Sequence, residues 1–130
     1  MNPVVHFEFP YEDRARIARF YEQAFGWKLQ MLGPEMGHYV VAVTAESDAG
    51  PRGVRGAING GFFQRQPGAA DQVPSVVIAV DDLADARARV REAGGELLGE
   101  PMPIPGVGQY ASFRDTEGNR VSLLQPLPMA

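Results

Sequence analysis

His6 and Glu8 alternate with Val5, Phe7 and Phe9 in the run VVHFEF, so a strand here turns an imidazole and a carboxylate to one face and an apolar stripe to the other. If the stripe packs on a helix, His6 and Glu8 face a cleft, where they can serve as acid and base or as a hydrogen-bonding anchor for a ligand. The plainer alternative is that the carboxylate satisfies the imidazole or an arginine. Little else of this chemistry is on offer, because the 130 residues contain two histidines and no cysteine. Disulfides, thiolate metal sites and cysteine nucleophiles are thereby excluded. Arg114, on a strand that would edge a cavity, can offer a guanidinium to an anionic ligand or pair with Asp115 or Glu117. Asn59-Gly60-Gly61 lacks the Lys-Ser/Thr ending of a phosphate loop. Arg87, Arg89 and Arg91 share a helix with Asp82, Asp85 and Glu92 and read as a solvated face.

The elements that must position these residues can be placed from turn and cap signals. A strand over 4–9 ends at Pro10, and Asp13 caps a helix with Ile17, Phe20, Tyr21, Ala24 and Phe25 at helical spacing, stopped by Gly26. Phe20 and Tyr21 are read as packing residues. Strands follow at 27–31 and 39–44, then a loop over 45–56 and a strand from Val54 to Phe63. Residues 64–74 read as a linker. Val76, Ile78 and Val80 restart the strand pattern, and Asp82 caps a helix with the stripe Leu83, Ala86, Val90 and Ala93, ended by Gly94 and Gly95. Leu97 and Leu98 form a short strand, and 99–108 (GEPMPIPGVG) reads as a loop on its prolines and glycines. Strands at 110–114 and 120–125 are joined by a turn over 115–119.

The two halves repeat. The shift that lays Gly26 on Gly95 also lays Ala24 on Ala93, Tyr21 on Val90, Asp13 on Asp82, Phe7 on Val76 and His6 on Ser75. Caps, stops and strand faces agree together, which points to an internal duplication within one domain: a first module over about 1–63, a linker over about 64–74 and a second module over about 75–130. Each module buries its sheet poorly alone, so a shared surface with a cleft is expected. Trp27, Tyr39, Phe62, Phe63 and Tyr110 fall on strands that would border it. Tyr39 and Tyr110, matched between the halves, are candidates to line a pocket for a planar ligand.

Three segments, VVHFEFPYEDRARIARFYEQAFGWKL, VVIAVDDLADARARVREAGGELL and FRDTEGNRVSLLQP, together resemble the vicinal oxygen chelate superfamily, which includes glyoxalase I, extradiol dioxygenases and bleomycin- and fosfomycin-resistance proteins. The resemblance implies an α+β chain of two βαβββ modules in a glyoxalase-like fold, with a cleft enclosed by curved sheets. It also implies a divalent metal held through four strand positions, two per module, by His, Glu or Gln. In this chain those positions fall on His6, near Gly60, on Ser75 and on Ser122, so His6 is the single match. His38 lies where no ligand is expected. Serine hydroxyls hold such metals poorly and glycine has no side chain to offer, so no complete metal site and no cofactor are expected. Ser75 and Ser122 are read as small neutral lining residues.

The expected function is therefore a small-molecule-binding protein of the glyoxalase/bleomycin-resistance type, working by ligand sequestration or sensing. The alternative is a metal-dependent lyase, isomerase or dioxygenase using His6 and non-standard ligands. The candidate ligand-binding residues are His6, Glu8, Trp27, Tyr39, Phe62, Ser75, Tyr110, Arg114 and Ser122, with no catalytic residue assigned. A homodimer is expected. Net charge of −4 and a pI near 5.1 argue against nucleic acid or an anionic membrane as partner. With neither a membrane-length apolar run nor a signal peptide at the start, a cytoplasmic location is expected.

Overall fold

Asp13 and Asp82 each leave the helical conformation and turn a carboxylate oxygen back on the chain. It accepts from the backbone N–H of Arg16 and Asp85 respectively, each at 2.9 Å, satisfying a donor that the first helical turn cannot. The first helix ends on Gly26, whose left-handed φ of 72° suits a residue without Cβ. A computed structural model describes residues 1–45, 56–70 and 72–128. In chain order its elements are β1 (Val4–Tyr11), α1 (Arg14–Phe25), β2 (Lys28–Met31), a 3₁₀ turn (Pro34–Met36), β3 (Val40–Val43), β4 (Asn59–Gln64), β5 (Ser75–Ala79), α2 (Leu83–Glu92), β6 (Glu96–Ile104), β7 (Gly108–Arg114) and β8 (Arg120–Pro126).

The chain divides into two compact units, His6–Pro74 and Met1–Val5 with Ser75–Ala130. In the first, the strand order is β2-β3-β4-β1, with β1 parallel to β4 and the other pairs antiparallel. In the second it is β6-β7-β8-β5, with β5 parallel to β8 and the other pairs antiparallel. Both units are thus βαβββ with the same pairing scheme. The α+β class and the duplication read from caps and stops are present in the topology itself.

Each helix covers one face of its own sheet. Under α1 lie Tyr11, Val40, Ala42 and Phe62, with Phe7, Phe9, Tyr21 and Trp27 packed against them. In the second unit Leu83 and Ala86 of α2 pack with Val80, Ala111, Phe113 and Leu123. Burying a large apolar side chain in this way contributes about 1.5–3 kcal/mol.

Several boundaries differ from the sequence expectation. Pro10 does not end β1: Tyr11 accepts a backbone bond from Arg65 at 2.9 Å, so the missing N–H of Pro10 falls on the side that β4 does not use. Of the expected loop over 99–108, residues 99–104 and Gly108 are strand and only 105–107 form a turn. β6 is an edge strand, with Pro101 inside a register shift between Leu98 and Met102 and Pro103 paired with Gln109 beyond it. β4 begins at Asn59, and the part of the expected 45–56 loop and of the Val54 strand start that covers 46–55 lies outside the described residues. Phe20 is a correction too, since at 56% exposure it lies off the buried stripe, leaving Tyr21 to pack against the core.

Phe62→Ala empties the centre of the first unit, where Phe62 is fully buried. It is expected to cost about 3–5 kcal/mol in urea unfolding, whereas the side chain of a pocket wall would cost far less.

Candidate functional site

The pleat sorts the first unit's side chains between two faces. Phe7, Phe9 and Phe62 point beneath α1, so His6 and Glu8 take the helix-free face. Two consecutive glycines on β4 divide in the same way. A Cβ at Gly60 would run into the Phe7 ring on the helix side, and one at Gly61 would coincide with the Tyr39 ring on the other. Gly61 faces Glu8 on β1 and Val41 on β3, so the bare backbone there forms a seat for Tyr39.

From that seat Tyr39 places its hydroxyl 2.9 Å from His6 Nε2 and 3.4 Å from Glu8 Oε2. The His6 and Tyr39 rings lie within 18° of parallel. The phenol has one proton, so it donates to Glu8 while the His6 Nε2–H donates to it, or it donates to a bare His6 Nε2. Burial pushes the His6 imidazole below its ordinary value, because the cation loses hydration as it leaves water. Glu8 is 9% exposed, a buried carboxylate beside this chain.

The second unit carries hydroxyls on its helix-free face. Ser122 Oγ sits 2.6 Å from the Tyr110 hydroxyl and 3.2 Å from Ser112 Oγ, and both serines are buried. Arg114 continues that face of β7 and pairs with Glu96 at 3.5 Å. Asp115 is engaged in the turn, where the Asn119 side chain, then the backbone N–H groups of Asn119 and Glu117, hold its carboxyl below the usual carboxylate range. Arg120 stands opposite Arg114 across β7 and β8. Ser75 is the half-buried first residue of β5.

Among the sequence candidates, the first unit brings together His6, Glu8 and Tyr39, and the second Tyr110 and Ser122. Phe62 and Trp27 are corrections. Phe62 is fully buried and Trp27 stacks on Tyr21 at 4.5 Å, both on the α1 side, because bulky aromatics on these strands serve the helix-facing core. His38 is a turn residue with φ of 57° whose carbonyl accepts from the Tyr11 hydroxyl at 2.7 Å. Two participants escaped the sequence reading. Ser112 lies two residues from both Tyr110 and Arg114, a spacing that strand alternation could have flagged. Gly61 had no signal beyond its place beside Gly60.

These donors do not fit a divalent metal shell. His6 Nε2 is engaged by Tyr39, the β4 position on its face is a glycine already covered by a ring, and Ser122 is committed to two hydroxyls. Among the described residues, no three His, Cys, Asp or Glu side chains gather to hold an ion. No helix among them is long and apolar enough to cross a membrane.

The family model of the Glyoxalase/Bleomycin resistance protein/Dioxygenase superfamily matches residues 4–123, and the chain belongs to that superfamily. A Didymella fabae glyoxylase-like domain-containing protein is 30% identical over 115 residues, covering 86% of this chain and 84% of that one. A Mycobacterium bovis protein bearing the name glyoxylase CFP32 is 42% identical over 53 residues, 41% of this chain. That match spans only 20% of the mycobacterial protein's length. Among solved structures, a variant of Streptomyces coelicolor methylmalonyl-CoA epimerase in complex with 2-nitronate-propionyl-CoA superposes with a TM-score of 0.69 at 16% identity, covering 96% of this chain and 97% of that one. Protein BH1468 of Bacillus halodurans C-125 gives 0.70 at 16% identity, covering 99% and 97%. At that identity the likeness is one of fold.

The lowered proton affinity of His6 has a signed consequence. Above the ordinary imidazole value of about 6.5 both folded and unfolded chains are neutral there, and stability is unaffected. As pH falls below it the unfolded chain takes up the proton first, so stability is lost on acidification. Urea midpoints measured between pH 7.5 and 5 are expected to fall for the wild type, with a shallower fall in His6→Gln.

Proposed function

We propose that this protein binds a small molecule, by sequestration or sensing, without a complete metal site, and that the polar anchor on its first unit is the His6–Tyr39–Glu8 chain. The observation that carries the reading is the Tyr39 hydroxyl held 2.9 Å from the imidazole and 3.4 Å from the carboxylate. Such a group accepts or donates without a metal, and the buried carboxylate behind it favours a ligand bearing positive charge. The flat Tyr39 ring adds a surface for a planar ligand. Binding needs affinity and no Lewis acid, so a metal set reduced to one histidine does not impair it. Taken by itself, the second unit carries a polar face of its own, with the hydroxyls of Tyr110, Ser112 and Ser122 and the guanidinium of Arg114. The working form we propose is a cytoplasmic homodimer.

The rival reading is a metal-dependent lyase, isomerase or dioxygenase using His6 and non-standard ligands. It draws support from the glyoxylase names of the relatives. Metal analysis and a thermal-shift series separate the two. Protein purified without chelator is expected to carry no stoichiometric nickel, zinc, iron or manganese. Metal-free bleomycin, a cationic and aromatic probe, is expected to raise its melting temperature by roughly 5 °C at saturating concentration, less so in Glu8→Gln. Stoichiometric metal that disappears in His6→Ala would sink the binding reading in favour of the enzyme.

A further inference from the structure

We infer that the second unit carries an anion site of its own, a hollow between α2 and β6 that takes a small organic acid by its carboxylate. The inference goes beyond the His6–Tyr39–Glu8 anchor and does not depend on it. Gln109 alternates with Tyr110 and Ser112 along β7, so it shares the helix-bearing face with Ala111 and Phe113 of the core. Beyond that core the side chains become too small to close the space. Ala84 and Ala88 of α2 and Gly99 and Pro101 of β6 line the gap, and a Cβ at Gly99 would meet nothing within 4 Å. The result is a hollow of about 660 Å³, with Leu83 and Leu97 among its walls. That volume lies in the range of small-molecule sites.

The polar groups there give the hollow its sign. Arg87 and Arg91 lie one turn apart on the same face of α2, and both line it. The sequence reading places Arg87 on a solvated face. Its side chain is instead only 16% exposed, because it lies across the gap toward β6. There its Nη2 donates to the Gly99 carbonyl at 2.6 Å, which holds the guanidinium in place. Its Nε is buried and has no hydrogen-bond partner among the described residues. Its Nη1 stands 3.9 Å from the Glu100 carboxylate, beyond hydrogen-bond length, and that carboxylate is 93% exposed. A cation withdrawn this far from water is left short of acceptors. Arg91 has no ion pair among the described residues. Two cations one helical turn apart repel each other, and a carboxylate placed between them replaces that repulsion with charge-assisted hydrogen bonds. Gln109 adds an amide donor at the rim. The leucine and alanine walls suit an apolar body on the acid.

The test uses sodium benzoate as the probe, with benzamide and sodium phosphate as parallel arms at fixed ionic strength. Each is titrated into the full-length protein, followed by the arginine Nε–H resonances and by calorimetry. Benzoate is expected to move the Arg87 Nε–H signal saturably. Benzamide, which has the shape without the charge, is expected to leave it unmoved. Arg87→Gln and Arg91→Gln are each expected to weaken benzoate binding about tenfold, and Glu100→Gln to tighten it about threefold. Arg91 and Glu100 are exposed, so those two variants decide the matter even where Arg87→Gln fails to fold. Absence of saturable benzoate binding overturns the inference, as does binding that Arg91→Gln and Glu100→Gln leave unchanged. Benzamide bound as well as benzoate reduces the hollow to an apolar cleft and overturns the anion site. Phosphate bound in preference to benzoate overturns the organic acid as its ligand.

Discussion

The first unit depends on how little space β4 takes up. Gly60 and Gly61 are adjacent, and because a strand turns successive residues to opposite faces, one absent side chain opens room toward α1 and the next opens room away from it. Phe7 fills the first space and thereby joins the aromatic layer of Phe9, Tyr21, Trp27 and Phe62. Tyr39 fills the second and meets His6 and Glu8. Glycine in a strand costs conformational entropy and packs nothing itself. Here that loss is offset by two aromatic rings that no other residue at these positions would admit. The core and the polar chain are therefore coupled through one dipeptide.

The duplication shows which properties of a repeat persist and which drift. Strand order, the parallel first-to-last pairing and the aspartate caps are the same in both units. Those features are set by backbone geometry, which tolerates few alternatives. The polar residues on the helix-free faces have diverged: imidazole, phenol and carboxylate in one, phenol and two serines in the other. Tyr39 and Tyr110, equivalent in the sequence repeat, each anchor a hydrogen-bonded cluster.

Much of this was legible in the residues. Alternation through His6 and Glu8, capping by Asp13 and Asp82 and the turn at Asp115 read through directly, because each is a local rule with a local cause. The failures share another cause. Proline is a breaker only where its missing N–H is needed, and that depends on neighbours the strand acquires at a distance, as Pro10, Pro101 and Pro103 show. Likewise, an aromatic on a strand is core or pocket according to its register with other strands. Phe62 and Trp27 went to the core, whereas Tyr39 went to the open face. The meeting of His6, Tyr39 and Glu8 spans more than thirty positions of chain, beyond the reach of any spacing rule.

The two prolines of β6 have a meaning beyond local geometry. An edge strand ordinarily presents an unpaired row of N–H and C=O groups, a template on which another copy can add itself. Pro101 and Pro103 delete two of the donors, and the shifted register between Leu98 and Met102 breaks the straight run that such pairing requires. In the first unit the edge strand β2 is four residues long and begins with an exposed lysine. Both strands are thus poor templates for the strand-on-strand addition by which fibrils grow.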